Sequence, residues 1–244
     1  MDQGEGVTID TLLGGRVTLL QPARGFRTSL DPLLLAGFVA APFGRFLDIG
    51  CGTGALSFAL LVRDAAATGV AVELQAPLAE LAREGVARNG WADRLDVLQG
   101  DVRVLARELP AASFDLVVTN PPFRPVGQGR PSPHETRALS NHEVSLTLTE
   151  WADVAARAAR PGGRVAAIFP ADRALELGAA LRERDLQPVR LRVVHPHADR
   201  PATRVLVEAQ RGGRTPLVVE PPLIVHAPGA ERFSPEVRRM LDED

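Results

Sequence analysis

The feature that most constrains the fold of this chain is a regular alternation of short apolar runs with longer amphipathic stretches. Strands are predicted at 45–50, 70–74, 94–100, 114–120, 164–170, 188–196 and 203–210. Helices are predicted between several of them, at 55–67, 77–90, 143–160 and 172–185. Such alternation is typical of a mostly parallel sheet with helices on both faces. We therefore predict an α/β, doubly wound fold with seven strands.

The first part of the chain has a different pattern. Alternating apolar residues on either side of Gly14-Gly15 predict a hairpin over 11–20, and an apolar helix follows over 30–42. We expect residues 1–42 to form a hairpin and a covering helix, and residues 43–244 the main domain, as one compact unit.

The cellular compartment follows from what the sequence lacks. No apolar run approaches the ~18 residues that span a bilayer, and the acidic first ten residues do not resemble a signal peptide. The single cysteine, Cys51, excludes an internal disulfide and suits a reducing compartment. We expect a cytoplasmic protein with no membrane partner.

Ligands of doubly wound folds bind beyond the carboxyl ends of the strands, so the residues there are the informative ones. The first strand ends in the run DIGCGTG, from Asp48 to Gly54. Three glycines at alternate positions permit a sharp turn and the close approach of a ligand. Their spacing differs from the G-x-G-x-x-G of dinucleotide sites, and Asp48 would repel a pyrophosphate but attract an ammonium group. A tight turn without a ligand is the alternative.

Acidic residues also end the next two strands. Glu73, followed by Leu74, is placed to accept the hydroxyl groups of a ribose, and Asp101, followed by Val102, the amino group of an adenine. Taken singly, each carboxylate could equally be a solvated strand-end residue. Together with the glycine run, these strand ends predict a site for S-adenosylmethionine.

The fourth strand ends in the run Asn120-Pro121-Pro122-Phe123. Consecutive prolines hold the backbone extended, so that the Asn120 amide and the Pro121 carbonyl project rigidly. Two acceptors of this kind can bind both hydrogens of a planar amine, while the Phe123 ring stacks on the group that carries it. A simple turn after a buried strand is the alternative.

Charge is distributed unevenly along the chain. The formal net charge is −2, yet residues 124–214 contain 15 Arg against 10 acidic residues. Arg124, Arg130 and Arg137 lie in a stretch rich in Pro and Gly and are candidates for phosphate binding or for a solvated loop. The pair His195-x-His197 has metal-ligand spacing but no evident third ligand, so we predict no metal site.

These motifs resemble the class I, Rossmann-like S-adenosylmethionine-dependent methyltransferases of the N-P-P-[FY] type. Within that class the chain most resembles the bacterial tRNA(Val) adenine N6-methyltransferases, which modify the adenine beside the anticodon. Nearly the whole chain takes part in the resemblance, with further segments at 25–31, 73–75, 204–208, 221–226 and 233–241.

The resemblance implies an enzyme with S-adenosylmethionine as cofactor and structured RNA, specifically tRNA, as substrate. It implies cofactor contacts at Ser29, Asp31, Asp48, Gly50, Cys51, Gly52, Gly54, Glu73, Leu74, Asp101, Val102 and Asn120. It implies catalytic roles for Asn120, Pro121, Pro122 and Phe123, with substrate contacts at Phe123, Arg124, Arg130 and Arg137. Phe123 departs from the commoner Tyr, so that stacking is kept and a hydroxyl contact is lost.

Four other functions remain open on the sequence. Guanine N2 in ribosomal RNA and adenine in DNA are alternative substrates of the same chemistry. A protein glutamine amide is another, although that N-P-P-[FY] family usually carries an N-terminal helical domain. The last is a binding module that keeps the fold without catalysis, which an intact Asn120–Phe123 run argues against. The oligomeric state is left open.

Overall fold

The structure is a computed structural model that describes residues 6–121, 146–227, 229 and 232–243. Its strands are β1 Val7–Leu12, β2 Val17–Pro22, β3 Arg45–Ile49, β4 Thr68–Glu73, β5 Leu95–Gln99, β6 Phe114–Thr119, β7 Ala159–Pro170, β8 Leu186–His195, β9 Arg204–Arg211, β10 Val218–Val219 and β11 Leu223–Ile224. Its helices are α1 Asp31–Phe38, α2 Ala55–Arg63, α3 Ala76–Arg88, α4 Val102–Glu108, α5 Leu148–Ala158, α6 Ala174–Arg182 and α7 Pro235–Met240.

The main sheet has the order β5-β4-β3-β6-β7-β9-β8-β10, and β11 also pairs with β8. Strands β3 to β7 are parallel to one another, whereas β9 is antiparallel to both β7 and β8. The strand order reverses on either side of β3, as in a doubly wound sheet. The predicted fold class is confirmed, with seven long strands and two additional two-residue strands, β10 and β11.

Two hydrophobic clusters cover the two faces of this sheet. One contains Leu19 of the hairpin, Leu35 of α1 and Phe58 of α2, and the other contains Trp151 of α5 and Leu177 of α6. Helices on both faces were predicted and are confirmed. The division of the chain at residue 42 stays a prediction, and Leu19 belongs to the same cluster as α2.

Several local predictions differ from the structure. The helices predicted over 30–42 and 55–67 end at Phe38 and Arg63, and the hairpin predicted over 11–20 has its strands at Val7–Leu12 and Val17–Pro22. Helix α4 was not predicted, because its seven residues bury only Val102 and Ala106 and give too little periodic signal. The helix predicted over 143–160 ends at Ala158, because Ala159 is extended and pairs with Phe114 at the start of β7. Residues 143–145 lie outside the described residues.

The strand directions determine where the functional residues meet. Strands β3, β4, β5, β6, β7 and β8 all point the same way, so their carboxyl ends share one edge of the sheet, here the carboxyl edge. The antiparallel β9 begins at this edge with Arg204. In the part of the chain that the structure describes, no helix is long and apolar enough to cross a membrane.

Candidate cofactor and amine site

A glycine turn connects β3 to α2 at the carboxyl edge. Gly50, Gly52 and Gly54 have φ values of 76°, 57° and 96°, a region that favours glycine. The N–H groups of Gly50 and Cys51 both donate to the Val72 carbonyl, at 2.9 and 3.0 Å, which ties the turn to β4. A Cβ at Gly50 would meet no atom within 4 Å, so open space adjoins the turn there.

The Phe26 ring lies against this turn, a contact that sequence reasoning missed. A Cβ at Gly52 would come within 2.9 Å of the Phe26 ring. The segment 25–31 was predicted to contact the cofactor, but Phe26 itself was not singled out. Phe26 is 47% exposed, so its ring lies against the turn at the surface rather than in the core.

Glu73 fastens the glycine turn from the end of β4. Its buried carboxylate accepts the Gly52 N–H at 2.8 Å and the Gln75 N–H at 2.9 Å. A carboxylate can accept about four hydrogen bonds, so Glu73 can also accept from a ribose hydroxyl. Leu74, the next residue, is 41% exposed beside it.

Asp48 is a buried acid whose hydrogen bonds are incomplete. The Ser57 hydroxyl donates to its Oδ2 at 2.7 Å, and Oδ1 has no partner among the described residues. Burial raises the pKa of Asp48 to about 7, although the hydrogen bonds from Ser57 oppose this shift. A cationic donor in the adjoining space would complete the set and favour the ionised form.

Asp101 accepts several hydrogen bonds from within the protein, which its predicted role of binding adenine does not require. It caps α4 by accepting the Arg103 N–H at 2.9 Å, and the Arg103 guanidinium bonds to both carboxylate oxygens. Hydrogen bonding from Arg103 lowers the pKa of Asp101. Arg103 also reaches Glu150 of α5 at 3.1 Å, while the Val102 side chain packs in the core. The contact with adenine therefore stays a prediction for both Asp101 and Val102.

Ser29 and Asp31 lie at the start of α1, at the carboxyl edge. The Ser29 hydroxyl accepts the Asp31 N–H at 3.3 Å, and Asp31 Oδ2 accepts from Arg204 Nε at 2.8 Å. Arg204 was not predicted as a partner, because 173 residues separate it from Asp31 along the chain. This ion pair joins the first residue of α1 to the first residue of β9.

Asn120 and Pro121 follow β6 directly beside the glycine turn. The buried Thr119 hydroxyl donates to the Ile49 carbonyl at 2.8 Å, which holds the ends of β6 and β3 together. Asn120 and Pro121 are both partly exposed. Sequence reasoning missed the role of Thr119 in placing them. The other residues predicted for this loop, Pro122, Phe123, Arg124, Arg130 and Arg137, lie outside the described residues.

These features fit S-adenosylmethionine. The glycine turn leaves open space at Gly50, and the buried Asp48 Oδ1 can accept from the ammonium of the methionyl group. Glu73 lies next to the turn, where a ribose would follow. Burial also raises the pKa of the Cys51 thiol, so Cys51 stays protonated and is unsuited to act as a nucleophile.

The described histidines, His195, His197 and His226, lie at the β8 end of the carboxyl edge, away from this site. His195 Nδ1 is 2.7 Å from the Arg200 carbonyl oxygen, and His197 stacks on His226. Within the described ranges, no group of three His, Cys, Asp or Glu side chains is arranged to hold a metal ion.

A family model described as "Methyltransferase small domain" matches residues 29–134. A tRNA1(Val) (adenine(37)-N6)-methyltransferase of Aeromonas salmonicida is 32% identical over 188 residues, which cover 76% of this chain and 77% of that protein. A protein of the same name from Porphyromonas gingivalis is 30% identical over 237 residues, with 93% and 91% covered.

A solved structure extends the likeness to three dimensions. It is a protein described as a predicted O-methyltransferase from Agrobacterium tumefaciens, with a TM-score of 0.70 and 26% identity. The match covers 86% of this chain and 94% of the other. Both chains therefore share one fold over nearly their whole length.

Proposed function

The chain belongs to the family of the tRNA1(Val) adenine N6-methyltransferases, and we propose that it methylates the N6 amine of an adenine in tRNA, beside the anticodon. It is an S-adenosylmethionine-dependent N-methyltransferase. The observation that carries the proposal is the position of Asn120 and Pro121, held beside the glycine turn by the bond from Thr119 to Ile49. An amine bound there adjoins the space where the cofactor fits.

In this reaction the residues of the chain position the amine and stabilise the charge that develops on it. When bound, the cofactor supplies an electrophilic methyl group. The Asn120 side-chain oxygen and the Pro121 carbonyl accept the two hydrogens of the amine and direct its nitrogen toward that group. Positive charge develops on the nitrogen during attack, and oriented acceptor dipoles stabilise it without a strong base. Alignment of the reacting atoms supplies a large further part of the rate.

The substrate class sets a further requirement. An adenine can reach this edge only when it leaves its stack, which costs least in a single-stranded loop such as the anticodon loop. Stacking on Phe123 and phosphate contacts from Arg124, Arg130 and Arg137 belong to the proposal. So does action in the cytoplasm.

The proposal is tested by transfer of a radiolabelled methyl group from S-adenosylmethionine to tRNA, ribosomal RNA, DNA and protein offered separately. Each product is then digested and its labelled component identified. We expect N6-methyladenosine from tRNA. Label as N2-methylguanosine in ribosomal RNA, as methyladenine in DNA or as methylglutamine in protein would show that the proposed substrate is wrong. Cofactor binding without label in any fraction would favour a non-catalytic module.

A further inference from the structure

Two loops meet at the far end of the carboxyl edge and form a stack of rings. The ring centroids of His197 and His226 are 5.0 Å apart at 27°, and those of His226 and Phe233 are 5.6 Å apart at 23°. The His226 N–H donates to the Pro196 carbonyl at 3.0 Å, and His226 and Phe233 form an antiparallel bridge. The backbone therefore holds the three rings in place.

One end of this ring stack opens onto a cleft of about 560 Å³. Its lining consists of Arg232, Phe233, Arg238 and Glu243. Arg232 is exposed and has no ion pair with a described residue. Arg238 donates from Nε and Nη2 to the Glu243 carbonyl oxygen, at 3.2 and 3.0 Å, which holds its guanidinium at the cleft. The cleft thus combines an aromatic ring with two guanidinium groups.

Other arginines engage most of the nearby carboxylates. Glu236 of α7 accepts from Arg192 at 2.7 and 2.9 Å, and Asp242 pairs with Arg16 of the hairpin. Glu243 is the one described acid that lines the cleft. Among the described residues that line the cleft, two guanidinium groups face one carboxylate, and Arg232 and Arg238 carry the positive charge offered to an anion.

Phe233, which lines the cleft, pairs through its backbone with His226 just after β11, at the same edge of the sheet as Asn120. Four strand spacings separate β6 from β11 in the order β6-β7-β9-β8-β11. At roughly 4.8 Å each, they place the end of β11, beside the cleft, about 19 Å from the end of β6. A duplex strand advances roughly 3.4 Å per nucleotide, so an RNA that fills the amine site extends past the cleft within several nucleotides.

We propose that this cleft binds a second nucleotide of the tRNA substrate, with the base stacked on Phe233 and the phosphate held by Arg232 and Arg238. The inference rests on the proposed function and deepens it. An aromatic face accepts any base, and guanidinium groups suit phosphate because they donate two parallel hydrogen bonds. The cleft sets the position of the RNA on the enzyme, whereas the choice of the methylated base belongs to Asn120 and Pro121.

The test measures the tRNA dissociation constant and the kinetics of methyl transfer for Arg232→Glu and Phe233→Leu. The matched control is Arg214→Glu, because Arg214 is also exposed and follows β9 at the opposite edge of the sheet. We expect the tRNA dissociation constant and KM to rise about tenfold for Arg232→Glu and about fivefold for Phe233→Leu, which keeps an apolar side chain but loses the ring. The control, kcat and cofactor affinity should change less than about twofold.

The outcomes separate the two proposals. If wild type methylates tRNA and both cleft variants bind tRNA as the control does, the cleft proposal is wrong and the proposed function stands. If wild type neither binds nor methylates tRNA, both fail. Phe233 is partly buried, so the Tm of Phe233→Leu must match that of wild type before its tRNA affinity is compared. Arg232→Glu changes an exposed residue, so its result does not depend on core packing.

Discussion

At the β4 end of the carboxyl edge two carboxylates are buried inside the protein, whereas at the β8 end two guanidinium groups are exposed at its surface. Asp48 and Glu73 are buried, and Ser57, Gly52 and Gln75 donate hydrogen bonds to them. Arg200 and Arg232 are exposed, and neither has an ion pair with a described residue. The two ends of one edge therefore differ both in the sign of these charges and in their exposure to solvent.

The difference matches the size of the two ligands. A small cation can be enclosed by the protein, so its acceptors can lie in the core. Burial destabilises their ionised form, and the bound cation offsets this cost. A long polyanion cannot be enclosed, and surface cations bind it through many weak contacts that salt screens. Asn120 lies between the two regions, where both ligands meet.

The largest effect is expected where the two regions meet, at Asn120. Asn120→Ala removes an oriented acceptor from the amine site and should lower the rate of transfer about 10²-fold or more. The affinities for S-adenosylmethionine and tRNA should change less than about threefold, because both regions remain intact. Single-turnover transfer and two binding titrations measure this. A rate near that of wild type would exclude the assigned role.

The next effect belongs to the enclosed region. Glu73→Gln keeps one acceptor oxygen but turns its amide toward a backbone N–H of Gly52 or Gln75. Because hydrogen bonds to a charged group contribute about 1.5–3 kcal/mol, cofactor affinity should fall about tenfold or more. Calorimetric titration with S-adenosylmethionine measures it. Glu80→Gln, an exposed residue of α3, is the matched control, and equal losses in both would contradict the account.

A third prediction concerns the pH dependence of stability. The raised pKa of Asp48, about 7, means that the folded protein holds a proton which the unfolded chain has released. The favourable contribution to the free energy of unfolding is complete below about pH 4 and is lost as the pH rises through about 7. Asp48→Asn has no charge to bury at any pH.

The Tm of cofactor-free Asp48→Asn, relative to wild type, should therefore rise between pH 5 and pH 8, by about 4 °C or more. Its cofactor affinity should fall at pH 8, where the ionised acid attracts the ammonium. Thermal unfolding at both pH values measures the first effect and titration the second. A Tm difference that does not change with pH would show that Asp48 does not change its protonation state between pH 5 and pH 8 and would contradict a pKa of about 7.

The smallest effect is expected at an exposed ion pair. Arg88 and Glu84 lie 2.6 Å apart on α3, with both side chains nearly half exposed. Arg88→Ala should lower the free energy of unfolding by about 0.5 kcal/mol or less and leave both affinities unchanged. Denaturant unfolding checks this. A loss of more than about 2 kcal/mol in the free energy of unfolding would contradict this, because it would show that an exposed ion pair contributes as much as a buried one.

The sequence predicts the strand ends well, because the backbone itself demands those residues. The backbone favours glycine at positions 50, 52 and 54, and an acid or an amide after a buried strand must lie at the carboxyl edge of a parallel sheet. Contacts between distant residues could not be predicted in this way. Asp31 with Arg204, Phe26 with Gly52, and His197 with His226 depend on how loops pack, which leaves no periodic signal in one sequence.

The central claim is that one edge encloses a small cofactor at one end and binds a polyanion at its surface at the other. The most direct test is the dissociation constant of each ligand at 50 and 200 mM salt. We expect tRNA affinity to fall about tenfold or more, since each phosphate contact adds roughly −0.7 to −0.9 to the logarithmic slope, while S-adenosylmethionine affinity changes less than about twofold. Equal salt dependence for both ligands would contradict the account.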